Sequence, residues 1–258
     1  MPTGAAVGWT KVPDVIGFPD RTTLSWDAAA EGSLDALVVE ADFAIGVRQE
    51  WYWSHAKQGP SLSAFLRHLP RELPFPGPID RARAEAGRAR FEAACTRCHG
   101  TYGPDGRVAR YVERVVPVAT VGTDPARAEA VTEAFVAAAN DPSLSHGLVE
   151  TRRTLGYVPP VLTSIWARAP YGHVGQWPSL AIMATLPAER AARYVVDLDA
   201  PIDLATVGLP ARAPGAPLRP GEYLHDGTLP GMGVLGHPFL ADLDPEGRAA
   251  VIEYLKTL

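Results

Sequence analysis

Both cysteines of this 258-residue chain lie in one five-residue segment, Cys95-Thr96-Arg97-Cys98-His99. A thioredoxin-type redox pair would give His99 no role, and a structural zinc site needs four ligands, usually from two clustered pairs. Covalent haem attachment uses all three side chains, because two thiols form thioether bonds and the adjacent histidine binds the iron. The segment therefore predicts one covalently attached haem c per chain, held by Cys95, Cys98 and His99.

Two stretches of the sequence have the pattern of core helices. Gly87, Phe91 and Cys95 are spaced four residues apart, so a helix over residues 79–94 places them on one face. Near the other end of the chain, Asp244 and Pro245 suit the N-cap and first position of a helix. That second helix carries an apolar stripe at i, i+3, i+4 and i+7, formed by Val251, Tyr254, Leu255 and Leu258.

These two helices resemble the first and last helices of class I cytochromes c. In that family a Gly-x-x-x-Phe-x-x-x-Cys helix leads into the haem site, its glycine permits a close crossing with the last helix, and its phenylalanine packs there. The resemblance implies a mostly α fold, a class I cytochrome c-like haem domain, with Phe91 among the cofactor-binding residues. The 25 prolines predict that its helices are joined by long, stiff loops.

Short motifs along most of the chain are similar to the rubber-oxygenase-like members of the di-haem cytochrome c peroxidase superfamily. They follow the family's order and lie at residues 17–21, 98–104, 121–125, 156–160, 169–175 and 236–239. Two features differ from the family. The chain has one Cys-x-x-Cys-His site where the family has two, and Val174 replaces the Asx of a His-Asx-Gly turn. The single site predicts a mono-haem relative and counts against enzymatic activity of the di-haem kind.

The group on the second axial side of the iron decides between electron transfer and small-molecule chemistry. His237 is the first candidate, because it lies in the loop where class I cytochromes deliver their distal ligand, and the family's Gly-His element supplies a distal histidine. Met232, between two glycines of that loop, and Met183, on a helix expected from residue 178, are the alternatives. In relatives the residue matching His173 lies close to the haem without ligating it. His173 is thus expected either to hydrogen-bond a propionate or water, or to be an ordinary loop histidine.

The chain divides by pattern into an N-terminal helical arm, residues 1–78, packed on a haem domain, residues 79–258, with loop insertions. The arm contains an amphipathic stretch over 34–55, which Ser33 would cap, and a shorter helix near 61–69. Within the haem domain we expect helices over 124–139 and 185–196 and a loop over 202–224.

Taken together, these features predict a periplasmic mono-haem c-type cytochrome that transfers single electrons through a six-coordinate haem. Its partners are expected to be redox proteins. The net charge of −5, without a basic stripe, argues against nucleic acid, and no apolar run is long enough to span a membrane. The periplasm is expected because this type of haem attachment takes place outside the bacterial cytoplasmic membrane.

Two alternatives stay open: a peroxidase- or oxygenase-like enzyme with an open distal site, and a haem subunit of a larger redox complex. A carrier is favoured over an enzyme because the sequence shows no second catalytic constellation.

Overall fold

The computed structural model describes residues 10–38, 56–69, 72–142 and 149–258. Helices take up 34% and strands 14% of this part of the chain, so the fold is mixed. The prediction of a mostly α, class I cytochrome c-like fold is therefore wrong. Most of the strands are only two or three residues long, too short to produce the alternating polar and apolar pattern by which strands are recognised.

The α-helices that lie wholly within the described residues are α1 (Gly59–His68), α2 (Arg81–Ala94), α3 (Thr96–His99), α4 (Val118–Val121), α5 (Ala126–Glu129), α6 (Glu133–Ala139), α7 (Leu180–Ala184) and α8 (Pro245–Leu255). Short 3-10 helices lie at Phe18–Asp20, Ala56–Gln58, Ile165–Arg168 and Pro187–Glu189. None of these described helices has the length and apolar character needed to cross a membrane. Of the amphipathic stretch predicted over 34–55, residues 34–38 are helical and the rest lies outside the described residues.

The strands are β1 (Ala30–Glu31), β2 (Thr101–Tyr102), β3 (Val108–Arg110), β4 (Val116–Pro117), β5 (Glu150–Thr151), β6 (Gly156–Tyr157), β7 (Arg193–Asp197), β8 (Ala211–Arg212) and β9 (Glu222–Asp226). They form antiparallel pairs β1–β5, β2–β3 and β4–β6 and an antiparallel sheet in the order β8-β7-β9. Each two-stranded pair connects two loop segments of the chain. These pairs therefore hold loops together and do not form a continuous sheet layer.

The three-stranded sheet replaces two predicted features, a helix over 185–196 and a loop over 202–224. Tyr194, Val195 and Val196 favour a strand because aromatic and β-branched side chains fit a pleated surface. Tyr194 and Val196, two residues apart, lie on one face and pack with Leu209 and Val234 in a small second core. The helix predicted over 124–139 is likewise two helices, because the Thr132 hydroxyl accepts a hydrogen bond that starts α6 afresh.

Helices α2 and α8 cross in direct backbone contact. A Cβ atom on Gly87 would lie 1.9 Å from the Ala250 carbonyl oxygen, so no other residue fits there without moving a helix. Next to this crossing the Phe91 ring is 1% exposed and packs against the Tyr254 ring at a centroid distance of 5.1 Å. The crossing expected from the sequence is thus present, although the fold around it is mixed.

The ends of the two crossing helices are fixed by their caps. Asp80 before α2 and Asp244 before α8 each accept a hydrogen bond from the backbone N–H three residues further on, at 3.0 and 2.7 Å. Glu253 of α8 also accepts a hydrogen bond from the backbone N–H of Asp80, at 2.6 Å. These bonds fix the N-terminus of α2 against α8. Because α2 leads directly into Cys95, they also fix where the cysteine segment begins relative to α8.

Candidate cofactor cavity

The cysteine segment follows α2 without a break. The backbone N–H of Cys95 donates to the Phe91 carbonyl at 2.8 Å, and the next four residues form the single turn α3. Within that turn Cys98 and His99 both donate backbone hydrogen bonds to the Cys95 carbonyl, at 3.0 and 2.9 Å. The two thiols are free and half-buried. The crossing of α2 and α8 therefore positions the thiols and the imidazole as one rigid group.

The chemistry of the thiols argues against a redox pair. Burial, and next the neighbouring Cys98, raise the pKa of the Cys95 thiol to about 12. Redox-active thiols need the opposite, because the thiolate is the reactive species. Within the described ranges, no three His, Cys, Asp or Glu side chains are grouped so as to hold a bare metal ion, so a zinc site is not supported either. A haem iron needs at most two protein ligands.

His99 is oriented by a backbone carbonyl. Its Nδ1 lies 2.7 Å from the Pro160 oxygen, and because a carbonyl only accepts, Nδ1 carries the hydrogen and donates. Burial lowers the pKa of His99, so the ring is neutral at pH 7. A neutral imidazole whose Nδ1–H bonds a carbonyl presents Nε2 as a metal ligand, which is the usual outer arrangement of metal-binding histidines.

His237 faces His99 across a cavity. The two ring centroids are 6.2 Å apart and the ring planes are inclined by 54°. Two imidazoles on opposite sides of one metal ion, each bound at about 2 Å, have centroids roughly 6 Å apart. Burial, then His99, then Arg190 lower the pKa of His237 to about 3, so this ring is also neutral. The spacing of these two neutral rings fits a six-coordinate iron between them.

The loop that carries His237 holds it in a strained backbone conformation. His237 has φ of +51°, in the left-handed region that non-glycine residues rarely adopt, and Gly236 before it has φ of +94°. A Cβ on Gly236 would lie 2.6 Å from the backbone of Thr123, so the loop packs directly on that segment. The N–H of His237 donates to the Val121 carbonyl at 2.7 Å. Strain of this kind is common where the surrounding structure fixes a functional side chain.

The cavity between the two histidines is open to solvent and mainly apolar. Its volume is about 140 Å³, and it continues into open solvent. Among its lining side chains are Phe91, Leu162, Leu180, Leu240, Val251 and Leu255. Cys95, His99 and His237 also line it, together with the charged side chains Lys11, Asp14 and Arg168. Two imidazoles on the walls of an apolar space suit a haem iron, and the Cys95 thiol beside them suits covalent attachment; Cys98 is not among the lining residues.

The other predicted site residues lie in different positions. Met183 lines the cavity and stays an alternative ligand, whereas Met232 is not among the lining residues, and its carbonyl lies 2.9 Å from His225 Nε2. The side chain of His173 is not among the lining residues either. Its ring stacks on Tyr157 at 4.4 Å, and burial lowers its pKa to about 4. Its Nε2 is buried with no hydrogen-bond partner among the described residues.

Two side chains that sequence reasoning missed hold the His237 loop. Arg190, which is 7% exposed, donates from Nη1 to the Gly236 and Val234 carbonyls at 2.7 and 3.0 Å, and from Nη2 to the Met183 carbonyl at 2.8 Å. Asp124 Oδ2 accepts hydrogen bonds from two backbone N–H groups of the same loop, at 3.0 and 3.2 Å. Asp124 belongs to a motif noted in the sequence, but Arg190 carries no local signal, because its hydrogen-bond partners are all main-chain atoms.

Replacing Arg190 by methionine is expected to destabilise the protein by about 2 to 4 kcal/mol. The variant leaves several buried carbonyls without a donor, and hydrogen bonds to a charged donor contribute more than neutral ones. The control is Arg193→Met, which removes a half-exposed partner of Asp226 and should cost no more than about 0.5 kcal/mol. Denaturant unfolding of both variants measures the difference, and equal losses would contradict the role given to Arg190.

Comparison with known proteins gives one distant relative and no family. No protein-family model matches the chain. It is 28% identical over 213 residues to an uncharacterized protein, y4iM, of Sinorhizobium fredii (strain NBRC 101917 / NGR234), and this match covers 72% of the chain and 46% of the relative. The chain thus spans about half the length of the curated relative that it matches. That relative is uncharacterized, so the match gives no information on function.

Proposed function

We propose that the chain binds one haem c and transfers single electrons through it. Cys95 and Cys98 would hold the haem through thioether bonds, and His99 and His237 would bind its iron. The observation that carries the proposal is the pair of half-buried imidazoles 6.2 Å apart across an apolar cavity, one of them directly after the cysteine pair. When bound, the haem supplies the one-electron redox chemistry.

The residues of the chain would set how that chemistry proceeds. The Pro160 carbonyl fixes the tautomer of His99 and raises its basicity as a ligand. The strained backbone of His237 and the hydrogen bonds that Arg190 and Asp124 make to its loop would hold this imidazole at the iron, which favours a carrier over an enzyme. The mainly apolar lining would surround part of the haem with a low-dielectric environment, which is one of the ways in which a protein tunes a potential. These features favour a carrier that exchanges electrons with redox proteins outside the cytoplasmic membrane.

The test is the spectrum of the oxidised protein and its reaction with carbon monoxide after reduction. A low-spin bis-histidine signal without carbon monoxide binding is the expected result. A histidine–methionine signature would keep the carrier role and move the second ligand to Met183. A high-spin signal with ready carbon monoxide binding, together with hydrogen peroxide turnover that is lost in a His99→Ala variant, would instead favour the peroxidase- or oxygenase-like enzyme.

A further inference from the structure

A lysine from the N-terminal part of the chain is held at the edge of the cavity. The ammonium group of Lys11 donates to the carbonyls of Arg168 and Pro170 at 2.6 and 2.8 Å. Its backbone N–H donates to the His173 carbonyl at 2.7 Å, and its own carbonyl accepts from the Trp26 indole at 2.7 Å. Two of these hydrogen bonds fix the ammonium group and two fix the backbone of Lys11, which is among the residues that line the cavity.

The charges at this end of the cavity are not balanced. Asp14 is shared by two guanidinium groups, with Arg21 at 3.0 Å and Arg168 at 3.5 Å, and the side chain of Arg168 is 3% exposed. In the part of the chain that the structure describes, no carboxylate lies within ion-pair distance of Lys11, and the Nε of Arg168, the atom 3.5 Å from Asp14, makes no hydrogen bond. Glu113, beyond Arg21, accepts hydrogen bonds from the hydroxyl and backbone of Thr22 and the backbone of Thr23.

A buried excess of cations is costly unless an anion completes it. Among the residues that line the cavity, Lys11 and Arg168 carry two positive charges against the single carboxylate of Asp14. The ammonium group of Lys11 has three N–H donors, and two of them bond carbonyls. One donor is therefore available to a group in the cavity, and a carboxylate would make the stronger, charge-assisted kind of hydrogen bond there.

We infer that the Lys11 end of the cavity is a carboxylate subsite that receives a propionate of the haem. This inference rests on the proposed function and adds to it the orientation of the cofactor. The propionate edge would lie towards Lys11, Trp26 and Arg168, and the thioether edge towards Cys95. The subsite also gives residues 10–27 a role in cofactor binding. The resemblance to cytochromes c had assigned the whole site to residues 79–258.

The test uses the haem-loaded full chain and a Lys11→Met variant. The thioether bonds do not involve Lys11, so the variant should keep its covalent haem. Its resonance Raman propionate-bending band is expected to shift, and its reduction potential to fall, because a cation near the haem favours the reduced form. Lys57→Met, which removes an exposed lysine, is the control and should match the wild type in both measurements.

A second variant keeps the experiment decisive if Lys11→Met does not fold. Lys11→Arg retains the charge but changes the donor geometry, so the propionate band should shift while the potential stays near that of the wild type. A loaded protein in which the bands of both Lys11 variants coincide with that of Lys57→Met would overturn the carboxylate subsite alone. Wild-type protein without covalent haem would refute the proposed function and the subsite together.

Discussion

Replacing His237 by alanine is expected to let the proposed haem bind carbon monoxide readily, which the same haem in the wild type should not do. The side chain is the group that we place opposite His99, and its removal leaves an apolar space that offers no imidazole to the iron. The reduced variant should therefore show a carbon monoxide difference spectrum, and the oxidised variant a high-spin signal, where the wild type shows neither.

The matched control for this change is His68→Ala, which removes an exposed histidine on α1. It should leave both spectra unchanged. If His237→Ala also leaves them unchanged while Met183→Leu opens the iron, His237 is not the ligand and the sulfur of Met183 takes its place.

Replacing Gly87 by valine is expected to destabilise the protein by about 3 kcal/mol or more, or to prevent folding. The new Cβ would start 1.9 Å from the carbonyl oxygen and 2.4 Å from the carbonyl carbon of Ala250, and both are backbone atoms that cannot rotate away. Helices α2 and α8 would have to separate, and inserting atoms into a packed core typically costs 1 to 3 kcal/mol even where side chains can adjust.

Ala93→Val in the same helix isolates the effect of the crossing. Ala93 is exposed, so the substitution changes mainly helix propensity and should cost about 0.5 to 1 kcal/mol. Denaturant midpoints of both variants, produced under the same conditions, measure the difference. A Gly87→Val protein as stable as Ala93→Val would show that the two helices do not meet at this glycine.

The features that the sequence predicted correctly are those encoded in neighbouring residues. The four-residue spacing of Gly87 and Phe91 and the Asp244-Pro245 cap define α2 and α8, because capping and periodicity act within a few turns of one helix. The strands were missed for the same physical reason. A two-residue strand is defined by a partner far away in the chain, as β1 is by β5, and leaves no periodic pattern of its own.

The residues of the candidate site likewise fall into those that a local motif predicted and those that only the tertiary structure reveals. Cys95, Cys98 and His99 form one local motif, and His237 was inferred from its place in the loop before α8. Lys11 and Arg190 could not be predicted, because each acts through carbonyl groups distant in sequence, and any residue can supply a carbonyl. The interpretation of His173 as a residue beside the cofactor stays a prediction, and its stacking on Tyr157 supplies no direct support for it.

The central claim, a haem attached covalently at the two cysteines, is tested most directly by the intact mass of the denatured protein. The chain would be exported to the periplasm of a host that matures c-type cytochromes, alongside a Cys95→Ala/Cys98→Ala variant. We predict that the wild-type polypeptide carries the added mass of one haem after denaturation and that the double variant does not. A wild-type mass equal to that of the polypeptide alone, from a host that loads a known c-type cytochrome under the same conditions, would contradict the claim.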